Sequence, residues 1–505
     1  MKITWRAWVV LAAVLLVAGT WLLWRQVAGG PGPRERLATE LAGGPGPRER
    51  LAAELAACRE AGMVIDRAWL IPPPVAADEN AAPLYAEAAA LLGTRDTWPE
   101  EVRSAWQTVK LRLGDATWDE PTRREADLVL AHGAAALARM AEAAARPQCR
   151  FLIDYTATVP SLDVMPIIDL ARLEQMRCHR AADRGDGATA LAALGELARL
   201  GRALDDGPSP LSCLAGEMID SLVGSEIGWL LDRGLMAGAE LEAAASLLPQ
   251  RAEMYRRMQR AVNAELVFIY LPLLDGVAGQ EDSLGGRMMV SDVAVLTAVC
   301  RQQWQLAGQP YCQAPQPVPD EALREQLSIL IRGIGVIPIQ PALIRRDTSV
   351  AMVEMARMAL GLERRRAETG SYPSSLAELP PPPRDGPWPA DPFSGIRYRY
   401  ERAGEGFRLW SVGADQEDQG GDAERDIVLR VKAPEAGPAA VEGAPPGPPG
   451  EPSTSSWRTY WQERMNERQG QEGQGPSEPS GAPPTSNWRK YWAERMKERE
   501  QGKGP

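Results

Sequence analysis

The feature that most constrains this chain is a helical period sustained from Cys58 to Arg345. Apolar residues recur every three or four positions over Ala86–Leu92, Arg124–Ala145, Ile167–Ala182, Ala188–Leu204, Cys213–Leu231, Ala237–Leu248 and Glu253–Leu271. Each apolar stripe must be covered, and a neighbouring helix covers it best. The breaks at Gly185/Gly187, Gly207-Pro208 and Gly234 are short, as expected between antiparallel helices. The pattern predicts a mainly α fold, with an all-α body of helical hairpins over residues 58–345.

The period changes after Thr348. A clean helix, VAMVEMARMALGLERRRAETG, ends at Gly370, a residue type suited to a left-handed cap. SYPSSLAEL predicts a turn and a short helix, and the Pro-rich stretch PPPPRDGPWPADPFSG follows. Alternation then replaces the helical period in IRYRYER and GFRLWSV, with Ala-Gly-Glu between them, which is a hairpin pattern. DIVLRV predicts a third strand, so residues 346–432 read as a small α+β module.

Between the second and third strands, six carboxylates fall from Asp415 to Asp426. Carboxylates this dense repel unless a cation or solvent screens them, and calcium takes roughly 6–8 hard oxygens. Counted from Asp415, Gly420 and Asp426 fall where an EF-hand has its glycine and its last ligand. Glu417 and Gln419 then occupy ligand places, Asp replaces the final Glu, and strands flank the loop, so it is not an EF-hand. A metal-closed turn and a solvated acidic turn both fit these residues.

Across Ser371 to Ile427 the chain carries Tyr372-Pro373, Leu376, Leu379, Asp391-Pro392, Gly395, Tyr398-Arg399-Tyr400, Ser411 to Asp415, Gly420-Gly421 and Asp426-Ile427. In these residues it resembles the C-terminal globular part of the major pseudopilin of type II secretion. The resemblance implies a calcium ion that orders the turn, with side-chain ligands at Asp415 and Asp426 and main-chain carbonyls near Trp410. The candidate metal ligands are Asp415, Asp418, Asp422 and Asp426. Gln416 stands where that family has Gly.

A wider resemblance rests on Asp78 to Tyr85, the Gly185-Asp186 junction and the Tyr-Pro, Asp-Pro-Phe-Ser-Gly and Ser-Val-Gly motifs near the end. In these the chain resembles the large membrane-anchored proteins of unknown function abundant in planctomycete-type bacteria. That resemblance implies a recurrent module outside any pilus, and implies no activity.

The N-terminus reads MKITWRAWVVLAAVLLVAGTWLLWRQ. No charge falls between Ala7 and Trp24, about the length of a bilayer span of roughly 17–25 residues. Trp5, Trp8, Trp21 and Trp24 lie near its ends, where indoles favour the interface. Residues 1–28 are expected to be a cytoplasmic N-terminus and an uncleaved single transmembrane helix. The bulk of the chain is then expected outside the cytoplasm, at a bacterial inner membrane. GGPGPRERLATELA from Gly29 is followed by GGPGPRERLAAELA from Gly43, so residues 29–57 read as a spacer. The apolar stretch Ile329–Ile344 is interrupted by Arg332, Gly333, Gly335, Pro338 and Pro341, so no second span is expected.

Residues 433–505 are rich in Pro, Gly, Ser and Glu and are expected to be disordered. They hold SSWRTYWQERMNER and its near-copy SNWRKYWAERMKER. Trp457, Trp461 and Met465 form one helical stripe with Tyr460 beside it, and Trp488, Trp492 and Met496 repeat it with Tyr491. Ser456 and Asn487 suit N-caps. Helices this short are marginal alone, so the expectation is folding on a protein partner's groove. Interfacial docking on a membrane and duplication without a role are the alternatives.

A net charge of −11 argues against nucleic acid as a partner. Six cysteines are too few for a disulfide scaffold in 505 residues. Cys300 with Cys312 is the nearest pair that a bridge would join, and the others read as small buried hydrophobes. His132 and His179 are the only 2 histidines. Neither lies in a zinc, hydrolase or triad motif, and His179 reads as a surface or capped residue. The expected function is a non-enzymatic, membrane-tethered scaffold or adaptor. Its alternatives are a component associated with a type II-like secretion system and a hydrolase within the helical body.

Overall fold

The structure is a computed structural model that describes residues 45–432, except 114–116, 157–159, 161, 208, 315–326, 328–338 and 382–386. The apolar run 7–24, the first spacer copy and both tail motifs lie outside the described residues. Among the described residues no helix is long and apolar enough to cross a membrane.

The described chain is mainly helical. Its helices are α1 (Pro47–Glu60), α2 (Arg67–Leu70), α3 (Ala82–Leu92), α4 (Glu100–Arg112), α5 (Glu120–His132), α6 (Ala134–Ala144) and α7 (Met165–Asp183). They continue as α8 (Gly187–Arg202), α9 (Pro210–Asp232), α10 (Ala239–Leu247), α11 (Arg251–Glu265), α12 (Leu284–Ala307) and α13 (Ile339–Thr369). Strands β1 (Arg399–Ala403), β2 (Gly406–Ser411) and β3 (Ile427–Val431) follow as an antiparallel sheet in that order.

Short polar side chains start several of these helices by accepting an otherwise orphaned backbone N–H. Asp119 accepts from Thr122 N (2.9 Å) at α5, and Asp186 from Thr189 N (3.0 Å) at α8. Ser209 accepts from Ser212 N (3.2 Å) at α9, and Ser283 from Gly286 N (3.0 Å) at α12.

The periodic stretch Arg124–Ala145 divides at Gly133 into α5 and α6. A β-carbon at Gly133 would lie 2.5 Å from Leu173 Cδ2, so glycine lets α7 pack against the joint. The second spacer copy is α1, which packs on α12, buries Leu51 and Cys58, and places Glu54 2.9 Å from Arg301 Nη2. Residues 47–57 are therefore part of the body. No bridge joins Cys300 to Cys312, because all six cysteines are free. Cys300 is buried with Cys58 in a core of α1, α11 and α12, whereas the Cys312 N–H donates to Pro392 O (3.0 Å).

Residues 45–432 belong to one compact unit. The principal core runs from α3 through α9 and α13 onto one face of the sheet. The boundary placed between 345 and 346 falls inside α13, which is continuous from Ile339 to Thr369 and lies along α9. Ile427, Leu429 and Val431 of β3 are buried and alternate with partly exposed Val428 and Arg430, the two-residue period of a half-covered strand. Their buried face meets α9, where a β-carbon at Gly228 would lie 3.0 Å from Leu429 Cγ. Next to it, the Lys432 N–H donates to Asp232 Oδ1 (2.5 Å) at the end of α9.

Candidate functional site

The acidic loop begins where β2 ends. Asp391 pins its entry: the carboxylate accepts from Phe393 N (3.0 Å), Ser394 Oγ (2.9 Å) and Ser411 Oγ (2.7 Å). The Asp-Pro-Phe-Ser-Gly motif is thus a built turn that ties the Pro-rich stretch to the end of β2. Gly413, Gly420 and Gly421 take φ of 70°, 73° and 77°, values that glycine adopts without strain. Gln416 takes φ 60° as a non-glycine and donates its amide to Phe393 O (3.2 Å).

The four aspartates are engaged in different ways. Asp418 accepts from Trp410 Nε1 (2.9 Å), Gly420 N (3.0 Å) and Arg399 Nε (2.7 Å). Burial pushes its acidity down, but the Trp410 and Arg399 bonds outweigh this and hold its pKa below the ordinary value. Asp415 accepts from Glu417 N (3.1 Å) and Gln419 Nε2 (3.0 Å), with Arg425 3.7 Å away. Asp422 accepts from Glu424 N (3.0 Å) through its side chain and from Asp426 N (2.7 Å) through its carbonyl.

Asp426 is different. It is 2% exposed, one oxygen accepts from Gly421 N (2.8 Å), and the other, Oδ1, is buried without a partner. Burial, followed by the charges of Asp418 and Asp415, raises its pKa to about 6. Among the described residues no three His, Cys, Asp or Glu side chains are grouped so as to hold a metal. The four aspartates share one loop without converging. A cation seated on Asp426 Oδ1 would have to draw Asp415 from its present donors.

The helical body holds a second set of polar groups, buried except for the partly exposed Arg251. Arg346 donates to Ala307 O (2.6 Å), Gln309 O (2.7 Å) and Asp347, and its guanidinium carbon lies 4.2 Å from the Tyr255 ring centroid. Arg251 donates to Glu354 (Nε to Oε1, 2.7 Å), which also accepts from the Tyr398 hydroxyl (2.6 Å). These bonds tie together α11, α13 and Tyr398, the residue just before β1. Glu217 accepts from the Cys213 thiol (3.4 Å); burial raises its pKa to about 8, against the opposing charges of Arg346 and Arg257.

His179, expected to be a surface or capped residue, is not at the surface. It is 2% exposed and stacked between Trp118 and Trp229, with ring centroids 5.2 and 4.0 Å away. Its Nε2 lies 2.8 Å from Glu226, which also accepts from Gln175 Nε2 (2.8 Å). The neighbouring Cys178 thiol is pushed well above its ordinary pKa by burial and then by Glu226, so it stays protonated and weakly nucleophilic. Sequence reasoning missed this cluster because its partners lie on α7, on α9 and on the loop before α5, far apart in the chain.

The tail residues Trp457, Tyr460, Trp461, Met465, Trp488, Tyr491, Trp492 and Met496 lie outside the described residues. No protein family, no curated protein and no solved structure matches the chain.

Proposed function

We propose that this protein is a non-enzymatic scaffold or adaptor. It is tethered to the bacterial inner membrane by residues 7–24, holds its bulk outside the cytoplasm, and displays two partner-binding motifs on its tail. The observation that carries this reading is the seating of the last strand on the body. Leu429 fits against Gly228, and Lys432 N is bonded to Asp232, so the chain leaves a rigid base just before the tail. Two Trp/Trp/Met stripes on one tail raise the effective concentration of the second for a partner that has bound the first.

Calcium at the acidic loop belongs to the same reading. It is supported by the buried, unpartnered Asp426 Oδ1 beside the charges of Asp415 and Asp418, and by the pseudopilin resemblance of Ser371 to Ile427. Association with a type II-like secretion system is the alternative use of that loop.

Protease added to intact spheroplasts tests the polarity directly: the C-terminal portion is cut in the expected orientation and survives in the opposite one. Recovery of partners by the full-length chain then tests the tail. The Trp457→Ala/Trp488→Ala variant loses those partners if the stripes bind them, and retains them if the tail is inert.

A further inference from the structure

α1 and α12 run side by side in the same direction. Along α1, Arg48 meets Glu281 just before α12 begins, Leu51 packs with Val290, Val293 and Ala294, and the Cys58 thiol lies 3.9 Å from Thr297 O. Cys58 stands about two turns beyond Leu51, and Cys300 stands about two turns beyond Val293. Contacts between parallel helices repeat at that spacing. Cys58 and Cys300 therefore take facing positions, one repeat along from Leu51 and Val293.

Further contacts bring the two thiols together. Both cysteines are fully buried, in one core with Met258, Val262 and Leu296. Thr297, whose carbonyl accepts from the Cys58 thiol, lies one turn before Cys300 on the same side of α12. Arg301, next to Cys300, reaches Glu54 (2.9 Å), one turn before Cys58. Burial, then the charges of Glu265 and Cys58, raise the Cys300 thiol well above its ordinary pKa, so the two sulfurs share one neighbourhood. Axes of packed helices lie roughly 8–10 Å apart, and each Cα sits about 2.3 Å off its axis. Facing positions thus bring their Cα atoms to about 3.5–5.5 Å, which overlaps the roughly 4.4–6.8 Å of a disulfide.

We propose that Cys58 and Cys300 form a disulfide site that fastens α1 to α12. The structure holds the pair in its reduced form. Oxidation breaks two S–H bonds and forms one Sγ–Sγ bond. The two electrons and two protons pass to a disulfide-bearing oxidant, which leaves as two thiols. The thiolate is the attacking form, and burial keeps both groups protonated, so the exchange belongs to the folding chain, before α1 seats. Once made, the bridge closes most of the helical body into one loop. Under the tethered reading it also carries any pull on the anchor into α12 instead of peeling α1 away. The pairing itself does not need that reading.

The test begins with full-length protein that is reduced in urea and returned to native conditions in a glutathione redox buffer. A second sample stays folded in the same buffer for longer. Both are quenched with iodoacetamide in urea and mapped as tryptic peptides by mass spectrometry. The Cys58 peptide should be joined to the Cys300 peptide, and the partly exposed Cys149 and Cys312 should be alkylated or carry glutathione. The bridged protein should melt above the same protein in excess reductant. Cys58→Ala should leave Cys300 free and melt alike in both conditions. The assignment is overturned if Cys58 and Cys300 are both alkylated in the two samples, or if either is joined to another cysteine. A redox-dependent melting shift that persists in Cys58→Ala would also overturn it.

Discussion

Arg346 and Asp347 are consecutive residues on α13, yet their side chains form an ion pair, Nε to Oδ1 at 3.0 Å and Nη2 to Oδ2 at 2.8 Å, with both side chains 0% exposed. Adjacent positions on a helix do not face each other. Here the guanidinium is drawn round by two carbonyls, Ala307 O and Gln309 O, and the carboxylate by Tyr311 N. The pair therefore fastens the segment after α12 to α13. Replacing Arg346 with Met leaves Asp347 charged and buried, and should cost about 3–5 kcal/mol in urea unfolding. Arg346→Met/Asp347→Asn should recover part of that loss. A single-variant cost below about 1 kcal/mol would mean that water reaches the pair.

Glu217 gives a pH signature. Burial raises its pKa from 4.5 to about 8, so the fold prefers it protonated. A raised folded value stabilises fully below the unfolded pKa, and that contribution fades as pH rises through the folded pKa. Between about pH 4.5 and pH 8 the wild type should thus lose stability on the order of a few kcal/mol relative to Glu217→Gln. Cys213, Asp220, Arg257 and Arg346 share this environment and are unchanged in the variant. Melting curves that run parallel for the two proteins from pH 5 to pH 8.5 would refute the assignment.

Gly406 opens β2 opposite the end of β3. A β-carbon there would lie 2.1 Å from Val431 O and 2.4 Å from the Lys432 carbonyl carbon, both backbone atoms that cannot step aside. Gly406→Ala should destabilise by at least about 1–3 kcal/mol and loosen hydrogen exchange in β3. Gly404, at φ 59° with open space around it, is the control. Alanine there adds only left-handed strain of roughly 1–2 kcal/mol and should leave β3 protection in place. Equal exchange in the two variants would contradict the packing of β2 on β3.

Calcium should act through Asp426. Millimolar Ca²⁺ should raise the melting temperature of the full chain above its value in EDTA, with about 2.7 kcal/mol gained at a hundredfold excess over Kd. Asp426→Asn should abolish the response. An identical melting temperature with and without Ca²⁺ would leave the acidic loop as a solvated turn.

The helical period carried α7, α8 and α9 to within a few residues of their ends, because their stripes are long and capped by Asp186 and Ser209. It did not mark α4 or α12. Those stripes carry polar and glycine interruptions such as Gly285 and Gly286, and neighbours impose the helix. The alternation in IRYRYER, GFRLWSV and DIVLRV made all three strands legible. The chain's punctuation was misleading over residues 47–56, where the second Gly-Pro unit read as spacer although α1 had a partner helix waiting more than 200 residues away. What local pattern could not show was convergence. His179 meets Glu226 and two tryptophans, Asp391 gathers a donor from β2, and Arg346 lies over the Tyr255 ring, all through contacts between distant segments.

The clasp between Lys432 and Asp232 joins residues 200 apart, and β3 is the last described element of the body. During synthesis, α9 would emerge long before the strand that covers its outer face. Until Leu429 follows, that face stays bare, so a nascent chain cannot close its principal core early. Ribosome-stalled intermediates ending before Ile427 should be held by chaperones, and those extending well beyond Lys432 released.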